Sequence, residues 1–424
     1  MAGHRQDRGT LTLSHPTGNA NVRNALRALQ ERNLLAAYYT TVAWDSESWW
    51  NRLLPSPAVR ELRRRGYPGI TKELIHTAAA REMCRVLLGR AGVLSKLGTA
   101  REMFSIERIC WEVDGRTARA VARCTPRAVY AYEHSALQTF RMAKRMNVHT
   151  IYELPIAYGA FRREFYQVEA ELQPEFAATL EYSYLEPVWQ EREAEELALA
   201  DELIVPSTFV QSSLPSERAR TARVIPYGMP SENLLPVRRE PPRGRPLRVL
   251  YVGQLSQRKG ISYLLAALRQ VETAVEFSMI GMRGTGECRP LDEALRRYRW
   301  RPSVPNSVVL EEMARHDVLV FPTLLEGMAL VVLEAMSRGM VVITTPNSGA
   351  VGTITDGKDG FIVPIRSAEA IAEKLEMLDR DRDRLEAMSQ AALRRARECS
   401  WAAYRERLGA TISEVVLGAE VPCK

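Results

Sequence analysis

Long apolar runs are missing from this chain of 424 residues; none approaches the stretch of about 20 that would cross a bilayer. Cysteine is sparse and scattered. Cys84, Cys110, Cys124, Cys288, Cys399 and Cys423 form no CxxC pair, which argues against a disulfide frame or a zinc site and for reduced cytoplasmic thiols. The first ten residues, MAGHRQDRGT, lack an apolar signal core, so no export is expected. Histidine is rare and unclustered, and no Ser/His/Asp set stands out. GMRGTG (281–286) is not GxGxxG, and no acid follows at the spacing a dinucleotide ribose requires. DRDRD (379–383) contains a DxD, but it precedes the helical run RLEAMSQAALRRARE, whose first turn favours acids; no metal is expected. The net charge of +7 comes without aromatic–basic interleaving, which argues against nucleic acid.

What is present is apolar mass and regular alternation. Hydrophobic residues are 46% of the chain, enough for large cores, and the length suits two domains. Strand-like runs alternate with helical patterns: LTLSH (11–15), LLAAYYTTVA (34–43), RAVYAYEH (127–134), HTIYELP (149–155), ELIVPS (202–207) and RVIPYG (223–228). PVRREPPRGRPL (236–247) breaks the periodicity and reads as a linker. Then RVLYVG (248–253), EFSMIG (276–281), DVLVFPT (317–323), VVITT (341–345) and GFIVPI (360–365) follow, with helices over 260–270 and 328–338 among them. Strands apolar on both faces belong to parallel sheets covered by helices. The expected architecture is α/β: a Rossmann-like domain over 1–235, a linker over 236–247, a second such domain over 248–398, and a terminal segment over 399–424.

Two segments of the second domain could do chemistry. In YVGQLSQRKG (251–260) a strand ends at Gly253 and a helix opens near Gly260. Arg258 and Lys259 in the turn could grip a diphosphate, the first as a planar fork and the second as a point charge. In EGMALVVLE (326–334) a strand runs into Glu326, and Gly327 permits close backbone approach. The next amides, Met328, Ala329 and Leu330, would open a helix, a ready anion site. Eight helical residues rise about 12 Å. That is the reach from a sugar, past two phosphates, to a ribose, so one carboxylate could take hydroxyls at each end.

Glu-x7-Glu after FPT, followed by LEAMSRGMVVITTPNSGAVGTITDGKDGFIVP, resembles the retaining glycosyltransferases of family 4, which have the GT-B fold. The RKG turn and ELALADELIVPSTFVQSSL agree, and the likeness is strongest over 200–395. It implies that Glu326 binds donor-sugar hydroxyls, Glu334 the ribose, and Arg258 and Lys259 the leaving diphosphate, without metal or other cofactor. The donor would be UDP- or GDP-linked. Many members carry Arg directly after the glycine that ends the first strand; here Gln254 follows Gly253, which would shift one phosphate contact to Arg258. Many also place a histidine near the donor sugar; here HTIYELP offers Leu154, and His134 is the nearest substitute. In SHPTGNANVRNAL (14–26), Gly18, Asn19 and Ala20 lie where the family brings backbone amides toward donor and acceptor, though Asn19 or Asn21 equally fits a plain helix cap. SWAAYRERLGATISEVV (400–416) resembles the terminal helix that packs back on the first domain.

The reading is a cytoplasmic retaining glycosyltransferase that serves a glycan or lipid-linked acceptor in cell-envelope polysaccharide assembly. Residues 51–150 carry 19 Lys/Arg against 8 Asp/Glu, whereas 151–200 carry 3 against 11. ELIHTAAAREMCRVLLGRAGV (73–93) is thus expected to lie on an anionic membrane, at the inner face of the cytoplasmic membrane. A sugar-nucleotide epimerase and a catalytically silent nucleotide-sugar-binding scaffold are the alternatives.

Overall fold

A computed structural model of the chain describes residues 10–45, 65–90, 102–180, 186–230 and 243–418. Its strands are β1 (Leu11–Ser14), β2 (Leu35–Thr40), β3 (Ile75–Thr77), β4 (Ala128–Tyr132), β5 (His149–Glu153), β6 (Glu202–Val205), β7 (Arg223–Val224), β8 (Leu247–Val252), β9 (Val275–Ile280), β10 (Arg299–Arg301), β11 (Val318–Phe321), β12 (Val341–Thr344) and β13 (Phe361–Ile362). They form two sheets, ordered β3-β2-β1-β4-β5-β6-β7 and β10-β9-β8-β11-β12-β13. β1 pairs in parallel with β2 and β4, and β8 with β9 and β11. Both orders reverse direction beside their first strand, and the crevice outside the carboxyl ends at that reversal is where such sheets bind ligands. In the first sheet the reversal lies between β1 and β4, in the second between β8 and β11.

Why these runs become central strands follows from their composition. Leu11 and Leu13 in β1, Val129 and Tyr130 in β4, and every residue of β11 and β12 are buried. Each aliphatic side chain so covered contributes about 1.5–3 kcal/mol relative to exposure. The strands missed by pattern are β3 and β10, each only three residues long and bearing exposed polar side chains. Nothing in IHT or RWR alternates long enough to be recognised.

Of the stretch 73–93 expected on a membrane, residues 91–93 lie outside the described residues; the rest holds part of a 3-10 turn (Lys72–Leu74), then β3, then the helix Ala79–Arg90. Pairing of Tyr38–Thr40 with Ile75–Thr77 takes the first part into the sheet. Arg85 is bonded to the buried Glu82, and Arg81 to Glu112, so these arginines already face carboxylates. No helix among the described residues is long and apolar enough to cross a membrane.

The chain divides into two compact units. One holds residues through Leu154, Pro187–Ile204 and those from Arg405 onward; the other holds Pro155–Glu186 and Val205–Tyr404. This partition departs from a boundary at 235: Pro155–Glu186 and the stretch from Val205 are grouped with the second unit, although β7 is a strand of the first sheet. The expected linker lies outside the described residues through 242. Beyond that point Arg245 forms a two-pronged pair with buried Asp317, tying the chain down before β8. In the first unit, Arg405 pairs with Glu31 and Arg32 with Glu406, which fasten the early turns of the helix Trp401–Gly418 to the end of the helix Ala20–Glu31.

Candidate active site

The second sheet's reversal carries a cavity of ≈ 410 Å³ whose lining includes Gly253, Gln254, Arg258, Lys259, Glu326 and Glu334. Met328, Ala329 and Leu330 also line it. Gly327 stands behind this wall: a Cβ there would lie 1.7 Å from the Pro155 carbonyl oxygen. No side chain but hydrogen fits, and the turn is thereby pressed against residue 155.

Local bonds explain how the cations arrive. After β8 the chain makes a short 3-10 turn, Gln257–Lys259, and leaves it through Gly260 at φ +70. That left-handed conformation suits glycine, and a Cβ would also strike the Pro322 carbonyl at 2.0 Å. The Arg258 carbonyl accepts from the Leu324 amide (2.9 Å) and the Thr323 hydroxyl (3.2 Å). The cation turn and the turn after β11 are therefore one hydrogen-bonded unit. Arg258 then reaches the Leu325 carbonyl at 3.1 Å and Glu326 Oε1 at 3.2 Å. Lys259 Nζ meets the same Glu326 oxygen and lies 5.3 Å from the centre of the Phe321 ring.

The acidic segment differs from the sequence expectation in one respect. The helix begins at Leu330, not at 328, and runs to Ser337. Ala329 is extended, and its amide donates to the Ser348 carbonyl (2.9 Å), so it is not open to an anion. The Glu326 amide likewise goes to the Asn347 carbonyl (3.1 Å). The helical part of the Glu-x7-Glu span is thus only Leu330 to Glu334, a rise of about 6 Å. The remainder, residues 326–329, lies outside the helix, with a bend at Gly327 and an extended Ala329. Leu330 and Val331 open the helix and line the cavity, and a helix start favours negative charge.

Glu334 accepts from the Asn306 side-chain amide at 3.0 Å. Burial raises its carboxyl above the ordinary range, against the Asn306 amide and the Arg338 charge, which pull it down. Asn306, Val309 and Phe321 line the cavity as well, and sequence reasoning passed over them. Only the position of Asn306 just after Pro305, at a helix start, could have hinted at an exposed polar group there.

Gly18, Asn19 and His134 belong to the other unit, at the carboxyl edge where β1 and β4 part. Asn19 caps the helix Ala20–Glu31, its side chain accepting from the Val22 amide at 3.0 Å. Gly18 is required by packing: a Cβ would lie 2.4 Å from the Tyr67 ring. Its carbonyl accepts from Arg23 at 2.5 Å. His134 sits at φ +67, uncommon for a side chain larger than glycine. The turn is held there by Glu196, which accepts from the amides of His134 (2.8 Å), Ala136 and Leu137 (both 3.0 Å). The imidazole stands edge-on to Trp189 with centroids 4.4 Å apart, and Nε2 is 2.9 Å from Glu133. Burial would lower its pKa, but Glu133, Glu193 and Glu196 together more than offset this, so the imidazole titrates above its usual value. These contacts hold both the turn and the imidazole in place.

Two parallel sheets of this order in one chain make the GT-B fold. The solved structure of HepE from Anabaena, in complex with UDP, matches 96% of this chain and 100% of its own, with a TM-score of 0.60 and 15% identity. Residues 246–381, which carry most of the cavity, match the family described as Glycosyl transferases group 1. The chain is similar to WcaL of Salmonella typhimurium, named for colanic acid biosynthesis: 28% identical over 172 residues, 37% of this chain and 41% of that protein. It is also similar to the capsular polysaccharide biosynthesis glycosyltransferase CapM of Staphylococcus aureus: 33% over 141 residues, 31% of this chain and 36% of that protein. The matches thus span less than half of the length of these curated relatives.

Proposed function

We propose that this chain transfers a sugar from a nucleoside-diphosphate sugar to a glycan or lipid-linked acceptor in cell-envelope polysaccharide synthesis, with retention of anomeric configuration. The observation that carries the reading is the grouping of Arg258, Lys259, Glu326 and Glu334 on one cavity at the second sheet's reversal. When the bond between anomeric carbon and phosphate oxygen breaks, the electron pair leaves with the nucleoside diphosphate. Two fixed cations and the start of a helix stabilise that charge where it develops, with no metal required. Glu326, beside the cations, accepts from hydroxyls of the sugar; Glu334, past the first helical turn, accepts from the ribose. The UDP in the HepE complex and the polysaccharide roles in the relatives' names support this assignment.

The test is incubation of the protein with UDP- and GDP-sugars, with and without lipid-linked oligosaccharide acceptors. Acceptor-dependent release of nucleoside diphosphate with an α-linked product from an α-linked donor is expected. Conversion of the nucleotide sugar without acceptor, or no turnover with any donor, would overturn the reading. A peripheral position on the cytoplasmic membrane face belongs to the same proposal, and flotation with anionic liposomes at low salt tests it.

A further inference from the structure

We propose that Glu169 is the positioning residue of the diphosphate site, acting through Gln257 on the Arg258–Lys259 pair. The inference rests on the function proposed above and concerns the same site. Glu169 lies on the helix Gly159–Leu172 and is fully buried. Its Oε1 accepts from Gln257 Nε2 at 2.7 Å and from the Tyr263 hydroxyl at 2.8 Å; its Oε2 accepts from Arg366 Nε at 2.7 Å. Gln257 is itself fully buried and directly precedes the two cations. Its amide donates to the Thr179 hydroxyl at 2.8 Å, and its Nε2 also reaches Ser262 at 2.7 Å. Both ends of Gln257 are therefore fixed by residues of the segment 155–186, which pattern alone assigns to the other domain.

A buried carboxylate is a poor device for stability. Taking it and its partners out of water costs several kcal/mol, and an apolar cluster of similar volume is often as stable. What such a network supplies is direction. The segment has ample apolar packing without it: Ala157, Tyr166, Leu180, Phe209 and Leu325 form a core there. The polar network runs instead toward the residue next to the cations. The same segment presses Pro155 against Gly327, and Ser207 donates to the Gly327 carbonyl at 2.6 Å. Both turns of the cavity are thus backed from behind, and Glu169 sets the cation turn.

The experiment compares wild type, Glu169→Gln, Gln257→Met and Arg258→Ala. Affinities for UDP and GDP are measured by calorimetry, those for uridine and guanosine by ligand-observed NMR, and folding by melting temperature. Hydrogen exchange of the peptide spanning residues 255–260 gives an independent readout. We expect Glu169→Gln and Gln257→Met to weaken the diphosphate about tenfold, to leave the bare nucleoside within twofold, and to speed exchange in that peptide. Equal weakening of nucleoside and diphosphate would mean a general structural role and would overturn the proposal. So would folded variants that bind the diphosphate as wild type does while Arg258→Ala does not. Wild-type protein that binds neither diphosphate would instead remove the functional reading itself.

Discussion

Glu326→Gln separates two things the carboxylate does at once. In the free protein its Oε1 is met by Lys259 and, at 3.2 Å, by Arg258. An arriving diphosphate must take both cations from this resident anion. A unit pair at 3.2 Å carries about 5 kcal/mol of gross Coulomb energy at an effective dielectric of about 20. Most of that is offset, because the glutamine oxygen still accepts a hydrogen bond and because the pair is not fully dry: the side chains of Arg258, Lys259 and Glu326 are 18%, 11% and 13% exposed. A net competition of about 1 kcal/mol is left, which is about fivefold in affinity. Glu326→Gln should therefore bind UDP or GDP about fivefold more tightly than wild type. Sugar transfer should move the other way. The sugar hydroxyls lose a charged acceptor worth about 1.5–3 kcal/mol, lowering kcat/KM about 10- to 100-fold. Calorimetry with the diphosphates and a transfer assay on the same preparation check both. Weaker diphosphate binding in Glu326→Gln would refute the reasoning, since the carboxylate would then organise the cations and not compete for them.

Other perturbations test the surroundings. Because burial holds the Glu334 carboxyl above its ordinary value, the folded state keeps that proton to higher pH than the unfolded chain. Stability from this group accordingly falls as pH rises from about 4.3 and is lost in full above the folded value; the melting temperature of Glu334→Gln should rise relative to wild type over that interval, and a pH-independent difference would count against it. His134 titrates above its usual value because Glu133, Glu193 and Glu196 outweigh burial, so its contribution is complete below about 6.5 and disappears as pH rises through the folded value. His134→Asn, which tolerates the left-handed backbone, should lose most against wild type at acid pH and least at alkaline pH in a fluorimetric melting series. Gly327→Ala must displace the Pro155 carbonyl and should cost about 1–3 kcal/mol, while Gly284→Ala, which meets nothing within 4 Å, should unfold in urea with wild type.

How much of this is legible in the sequence depends on the range of the interactions. Strand positions were readable because β4, β11 and β12 are apolar on both faces, and that signal is local. Arg258, Lys259 and Glu326 were readable because each follows a strand end by a short stretch, where doubly wound sheets bind, and Glu334 because it closes the Glu-x7-Glu spacing. The helix start was misplaced by two residues, since the Ser348 carbonyl that takes the Ala329 amide comes from a separate turn. Asn306 escaped for the same reason: its bond to Glu334 links residues 28 apart, and nothing local marks it.

The segment 155–186 makes the point most sharply. Its helical pattern, continuing the alternation of strands and helices, reads as more of the first domain. Its allegiance is decided by contacts with residues 88 to 197 positions further on: Glu169 with Gln257, and Glu169 with Arg366. A buried glutamate is costly enough that a chain keeps one only where its partners are fixed, so the unfavourable residue is itself the signal. That signal becomes visible only when the partners are seen. Sequence reasoning therefore finds the groups that would touch a ligand and misses those that hold them. Arg258 and Lys259 are met in front by Glu326; the pairing of Gln257 with a carboxylate far away in the chain holds the same turn from behind.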